Sequence, residues 1–175
     1  CVARGAAEAP LMLFVHGFPE FWYCWHAQLD EFGKDHRAVA FDLRGHGNSG
    51  KPWGKADYTD YRNYAGDVQA VIKATGIDRP VLVGWSYGSL VICDYLRAYG
   101  HDRVAAIDFV EGLVKLGEAA FGTLIGPGFL DHFVAATVDD LPTNIQAMRS
   151  FVRACIVQPV PDDARYAVIV PLAIA

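Results

Sequence analysis

The sequence lacks the features that would indicate a membrane, nucleic-acid or zinc-binding protein. Its longest apolar stretch, Ala167 to Ala175, is about half of the ~20 residues that a membrane helix needs. The 15 Lys and Arg residues are scattered and the formal net charge is −5, so no basic surface for nucleic acid is indicated. The four cysteines form no C-x-x-C pair, so we expect reduced, mostly buried thiols, which favours a cytoplasmic setting.

What the chain does have is enough apolar sequence for a globular core. Of its 175 residues, 53% are hydrophobic and 20% are charged, a composition that argues against disorder. The chain does not begin with Met, and we expect that it starts inside a domain.

Strand-like apolar runs alternate with helical patterns over the first 110 residues. Because the runs are continuously apolar, they predict buried parallel strands covered by helices on both faces, an α/β fold with a doubly wound sheet. The strands are expected at Leu11–Val15, Arg37–Phe41, Val81–Trp85 and Val104–Val110, and the helices at Trp22–Phe32, Asp60–Thr75 and from Ser86 to about Tyr99.

After Glu111 the pattern changes to helical segments without strands between them. Met148, Phe151, Val152, Cys155 and Ile156 follow helical spacing. Thr143 and Gln146 fit a capping box for that helix, and Asp162 and Asp163 resemble a further helix start.

The stretch "GWSYG" places a serine between a strand and a helix. It fits the G-x-S-x-G nucleophile elbow, in which the serine adopts a strained turn and projects its hydroxyl. Gly84 and Gly88 would allow close packing around Ser86, and the Tyr87 N–H lies where a helix N-terminus favours negative charge. A plain strand–helix turn without chemistry is the alternative.

The stretch "HGFPE" follows the first predicted strand and could supply the second part of an acyl-transfer site. Such a site needs a second oxyanion donor, and the Phe18 N–H is the obvious one. Gly17 permits the turn, Pro19 stiffens it, and His16 at the strand end is interpreted as a loop brace rather than a general base.

Together these motifs resemble the α/β-hydrolase superfamily, and "HGFPEFWYCW" and "FDLRGHGNSGKP" are closest to its epoxide hydrolase and haloalkane dehalogenase branch. The resemblance implies an incomplete core over residues 1–111 and a partial helical cap over 112–175. It also implies that the strands before "HGFP" and "GWSYG" are neighbours, and that the last predicted strand forms an unpaired sheet edge with exposed apolar side chains.

The chain departs from that branch at the nucleophile, where those enzymes carry Asp and this sequence has Ser86. A serine that opened an epoxide would form an ether that water cleaves too slowly, so Ser86 favours acyl chemistry on a carbonyl. We therefore expect a serine hydrolase acting on a small, apolar, ester-like substrate without a cofactor or metal. Alternatives are a ligand-binding homologue without catalysis and an epoxide hydrolase-like relative with an altered nucleophile.

The rest of the catalytic triad is not evident. The resemblance implies a later histidine, and neither His101 nor His132 lies where the family places it, so we interpret the chain as truncated and expect it to be inactive alone. Glu111 is a candidate acid, because some dehalogenases place theirs after this strand; a charged residue at a strand end is the alternative.

Trp22 and Trp85 could line a pocket or pack in the core, and Asp42, Arg44 and His46 fit a loop that organises backbone.

Overall fold

The fold is known from a computed structural model that describes residues 1–115, 134 and 138–154. The chain divides into two compact units, Cys1–Val114 and Lys115–Ala175. The first unit contains the sheet and every element discussed below except one helix. The interpretation of the second unit as a cap stays a prediction.

The first unit is built on a five-stranded, mostly parallel sheet with strand order β1-β3-β2-β4-β5. Only β1 runs antiparallel, against β3. The predicted neighbours β2 and β4 pair in parallel, with Val15 opposite Gly84. The strands are β1 Val2–Arg4, β2 Leu11–Val15, β3 Arg37–Phe41, β4 Val81–Trp85 and β5 Ala106–Val110.

Helices follow the strands in the predicted α/β order. Asp60 accepts a hydrogen bond from the Arg62 N–H at the start of α3, and Gly76 ends that helix in the left-handed conformation. The elements are a 3-10 turn at Trp22–Trp25, α1 His26–Phe32, α2 Ala56–Thr59, α3 Tyr61–Thr75, α4 Tyr87–Tyr99 and, in the second unit, α5 Leu141–Ala154.

Both faces of the three central strands, β3, β2 and β4, are largely buried, as continuous apolar strands predict. Successive strand residues point to opposite faces, so Leu13 and Val15 pack under α3 and α4 while Phe14 packs against the 3-10 turn and α1. All three of these side chains are at most 1% exposed. The α/β fold predicted from the sequence is therefore confirmed.

Some local predictions were wrong. The three-residue strand β1 was missed, and β5 begins at Ala106 rather than at Val104. Thr143 does not cap α5; instead its N–H donates to the Asp140 carboxylate at 3.0 Å. Cys155, Ile156, Asp162 and Asp163 lie outside the described residues.

The predicted unpaired edge is present at β5. Within the described part of the chain this strand pairs only with β4, and all five of its residues are exposed. Ile107 and Phe109, at 36% and 38% exposure, form an apolar surface along it. No helix of the described residues is long and apolar enough to cross a membrane.

Candidate active site

Ser86 lies at a sharp turn between β4 and α4, as predicted. Its φ of 51° and ψ of −117° lie in a region that residues other than glycine rarely adopt. The Ser86 N–H donates to the Val110 carbonyl at 3.2 Å, and the Ser86 carbonyl accepts from the Ser89 N–H at 3.0 Å. The strained serine is thus held on one side by β5 and on the other by the helix that it begins.

Glycines allow the elements around Ser86 to approach one another. A Cβ atom on Gly88 would lie 2.2 Å from the Val15 carbonyl oxygen, and one on Gly84 would lie 2.6 Å from the Ile92 side chain. A Cβ on Gly17 would lie 3.0 Å from the Ser86 Cβ. The "HGFP" turn therefore lies directly against the serine turn at the carboxyl edge of the sheet.

His16 braces this turn as a neutral imidazole. Its Nε2 accepts from the Leu43 N–H at 2.9 Å, so its protonated Nδ1 donates to the Gly17 carbonyl at 2.8 Å. Burial lowers the pKa of His16 to about 4. With both nitrogens engaged, the ring orients the strand end rather than facing Ser86.

The loop after β3 is held by its own polar side chains, in the manner interpreted from the sequence. The Asp42 carboxylate accepts from the N–H groups of Trp22, at 2.8 Å, and Asn48, at 2.9 Å. Arg44 donates to both carboxylate oxygens of Asp67. His46 packs edge-on against Phe18 with ring centroids 6.0 Å apart, and burial lowers the pKa of His46.

The two candidate donors of an oxyanion hole occupy neighbouring turns. Phe18, joined to Pro19 by a cis peptide bond, lies in the turn that abuts Ser86. Tyr87 is the first residue of α4, where a backbone N–H has no acceptor within its own helix. The role of these two N–H groups as donors to an oxyanion stays a prediction.

The positions of the other residues predicted from the sequence do not decide between their alternative roles. Glu111 directly follows β5, is exposed and has a φ of 46°. Trp22 and Trp85 are partly buried against the apolar cluster on the α1 face, a placement that fits packing as well as pocket lining. His101 is exposed and pairs with Asp102, and His132 lies outside the described residues. None of the described histidines hydrogen bonds to Ser86.

Sequence reasoning missed Glu20, the last residue of "HGFPE". Its N–H donates to the Gly17 carbonyl at 3.0 Å, its side chain is buried, and Oε2 has no hydrogen-bond partner. Burial raises the pKa of Glu20 to about 7. Its place at the end of the "HGFPE" motif was the only sequence signal for it, because burial of a single acid leaves no pattern in the sequence.

No group of three or more His, Cys, Asp or Glu side chains in the described ranges is arranged to hold a metal ion. The described site is made of Ser86, the "HGFP" turn packed against it and buried polar side chains.

Ser86 is a strained serine between a parallel strand and a helix, and a second turn lies against it at the carboxyl edge of the sheet. This arrangement is typical of one class of fold. Residues 10–136 match the family model of the alpha/beta hydrolase fold, and the chain belongs to that family.

Known proteins similar to this chain include both epoxide hydrolases and esterases. Epoxide hydrolase 1 of Caenorhabditis elegans is 41% identical over 98 residues, which are 56% of this chain and 24% of that protein. A putative aryl esterase from Burkholderia cenocepacia matches with a TM-score of 0.87 and 34% identity, over 98% of this chain and 61% of that one. An esterase from Rhodococcus sp. ECU1013 matches with a TM-score of 0.88 and 33% identity, over 99% and 63%. The chain thus spans less than two thirds of the length of these relatives.

The close approach of α4 to β2 gives a first prediction. Gly88→Ala should destabilise the folded state by ~3 kcal/mol or more, because its Cβ would meet a backbone carbonyl that cannot move aside. The matched control is Gly66→Ala in α3, where a Cβ meets nothing within 4 Å. This variant should be more stable than the wild type by ~0.5–1 kcal/mol, because alanine has the higher helix propensity. Chemical denaturation of the native gene product that contains this chain measures the free energy of unfolding of both variants. Equal changes in the two variants would contradict the close packing of Gly88 against β2.

Burial of Glu20 gives a second prediction. The unfolded carboxyl titrates near 4.5 and the folded one near 7, so stability falls as the pH rises between these values, by as much as ~3 kcal/mol. His16, with a folded pKa of about 4 against 6.5 unfolded, has the opposite effect in an overlapping range. The wild-type protein must therefore be compared with Glu20→Gln at each pH.

Relative to wild type, Glu20→Gln should become more stable as the pH rises from 4 to 8, because only the wild type carries the titrating carboxyl. Denaturation curves at each pH measure the difference. The exposed Glu8→Gln is the control and should show no such trend. A constant difference between Glu20→Gln and wild type across this range would refute the burial of an ionisable Glu20.

Proposed function

We propose that the native gene product containing this chain is a serine hydrolase that cleaves a small, apolar, ester-like or other acyl substrate. The observation that carries the proposal is the strained Ser86, held at the strand–helix turn with the "HGFP" turn packed against it. Backbone strain at a residue with a nucleophilic side chain is characteristic of functional sites.

The proposed reaction proceeds through an acyl-enzyme. The Ser86 oxygen attacks the carbonyl carbon, its proton passes to a base, and the bond to the leaving alcohol breaks as that alcohol takes up the proton. Water then attacks the acyl carbon and releases the acid and the free serine. The base is a histidine outside the described residues, and Glu111 is the candidate acid that would orient it.

The negative charge that develops on the carbonyl oxygen is stabilised by the Phe18 and Tyr87 N–H groups. Both donors are backbone groups in fixed turns, so no reorganisation is needed when the charge forms. The N-terminus of α4 adds its dipole to the same position. The partly buried Trp22 and Trp85 would offer an apolar surface to the substrate.

The nature of the nucleophile favours ester over epoxide chemistry. An alkyl ether on Ser86 would not be hydrolysed usefully, whereas an acyl ester would. The similarity to two esterases, at 34% and 33% identity over nearly the whole chain, supports this choice. A ligand-binding homologue is the second candidate, since the same turns could bind a carbonyl without turnover.

Ser86→Ala in the native gene product should reduce hydrolysis of a generic aryl ester at least ~10³-fold while leaving substrate binding largely intact, because only the nucleophile is removed. A fluorophosphonate probe should label the wild type at Ser86 and fail to label the variant, as read by mass spectrometry. Ser86→Asp should not produce epoxide opening.

The matched control is Ser89→Ala, three residues further along α4, where the hydroxyl donates to the Gly84 carbonyl. This variant should keep both labelling and turnover. The 175-residue chain alone should be labelled weakly, because no described histidine activates Ser86. Ester binding without multiple turnovers would favour the ligand-binding alternative, and turnover that survives Ser86→Ala would refute the proposal.

A further inference from the structure

One peptide group in the "HGFP" turn contains both a hydrogen-bonded carbonyl and a proposed oxyanion donor. The Gly17 carbonyl and the Phe18 N–H belong to the same planar trans unit and point in opposite directions, so a restraint on one also orients the other. The Gly17 carbonyl accepts from the Nδ1–H of His16 at 2.8 Å and from the Glu20 N–H at 3.0 Å. The direction of the Phe18 N–H therefore depends on the position of the His16 ring.

The ring of His46, from the loop after β3, packs against the side chains on both sides of this peptide group. Its centroid lies 5.1 Å from that of the His16 ring, with an interplanar angle of 64°. It lies 6.0 Å from the centroid of the Phe18 ring, with an interplanar angle of 88°. The first contact supports the imidazole that holds the carbonyl, and the second supports the residue that carries the N–H.

His46 can support the turn because its own position is fixed by three hydrogen bonds. Its N–H donates to the Leu43 carbonyl at 3.0 Å, and its carbonyl accepts from the Ser49 N–H at 3.0 Å. Its Nδ1 donates to the Arg44 carbonyl at 3.1 Å. Burial lowers the pKa of His46, so the ring that packs against the turn is a neutral imidazole at neutral pH.

The same loop also binds both ends of the segment that contains the turn. The Leu43 N–H donates to Nε2 of His16 at 2.9 Å, and the Asp42 carboxylate accepts from the Trp22 N–H at 2.8 Å. The ring of His46 adds a contact at the middle of the segment. A turn bound to one loop at its two ends and its middle can hold a backbone donor in place before charge develops.

We propose that His46 is a positioning residue for the oxyanion hole: by packing against His16 and Phe18, its ring fixes the direction in which the Phe18 N–H points. This inference rests on the proposed function for its catalytic consequence. It gives the loop after β3 an indirect part in the chemistry at Ser86, in addition to the organisation of its own backbone.

Two substitutions in the native gene product separate the ring of His46 from its hydrogen bond. His46→Asn keeps a side-chain N–H for the Arg44 carbonyl but removes the ring. It should lower kcat for an aryl ester about 10-fold with KM unchanged within about 2-fold, since a misdirected donor costs less than the ~10²–10³ of a lost one. His46→Phe keeps a ring but removes that N–H, and its kcat should stay within about 2-fold of the wild type. If His46→Asn does not fold, His46→Leu, which fills the space without a ring, should show the same loss of kcat.

The matched control is His36→Asn. The His36 ring also meets a phenylalanine edge to face, since its centroid lies 6.5 Å from that of Phe32 at an interplanar angle of 79°. His36 directly precedes β3, so it lies at the opposite edge of the parallel strands from Ser86. This variant should keep the wild-type kcat. Wild-type kcat in His46→Asn, or an equal loss of kcat in His36→Asn or His46→Phe, would overturn the inference while leaving the serine mechanism intact.

A second measurement separates this inference from the proposed function. Because the Glu20 N–H donates to the Gly17 carbonyl, its hydrogen exchange reports rotation of the peptide group to which that carbonyl belongs. Exchange at Glu20, followed by NMR, should accelerate about 10-fold in His46→Asn and stay unchanged in His36→Asn. If the wild type shows no serine-dependent turnover, the proposed function fails, and this exchange rate alone decides whether His46 orients the peptide group. Unchanged exchange in His46→Asn would overturn the inference.

Discussion

The site depends on how closely the first turn of α4 approaches the end of β2. A single methyl group on Gly88 would lie 2.2 Å from the Val15 carbonyl oxygen, so the helix could not start where it does with any other residue there. Because β2 and β4 are parallel neighbours, the turns that follow them meet at one sheet edge. Ser86 has its unusual backbone conformation beside that contact, and the "HGFP" turn lies against it.

The polar side chains around this contact are buried. His16 is an uncharged imidazole with both nitrogens bonded, and two backbone N–H groups satisfy the Asp42 carboxylate. Glu20 is buried with an unbonded oxygen, and burial raises its pKa to about 7. In such surroundings the backbone donors that we propose for the oxyanion would contribute more than they would in water.

The sequence predicted the parts of this architecture that local patterns encode. Continuous apolar strands identified the α/β sheet, and "GWSYG" after such a strand identified the elbow, because strand, turn and helix are adjacent in the chain. β1 was missed because three residues are too few to show a hydrophobic periodicity. Thr143 was predicted to cap α5, whereas the Asp140 side chain accepts the hydrogen bond there. Contacts between distant segments, such as Arg44 with Tyr64 and Tyr64 with Tyr87, leave no local pattern, so only the folded structure reveals them.

The most direct test of the central claim is a crystal structure of the native gene product after reaction with a fluorophosphonate, whose tetrahedral phosphorus stands in for the acylation intermediate. We expect a covalent bond from the Ser86 oxygen to phosphorus. We also expect a phosphonyl oxygen within ~2.7–3.1 Å of the backbone nitrogens of Phe18 and Tyr87. An adduct on another residue, or a phosphonyl oxygen that points away from both nitrogens, would contradict it.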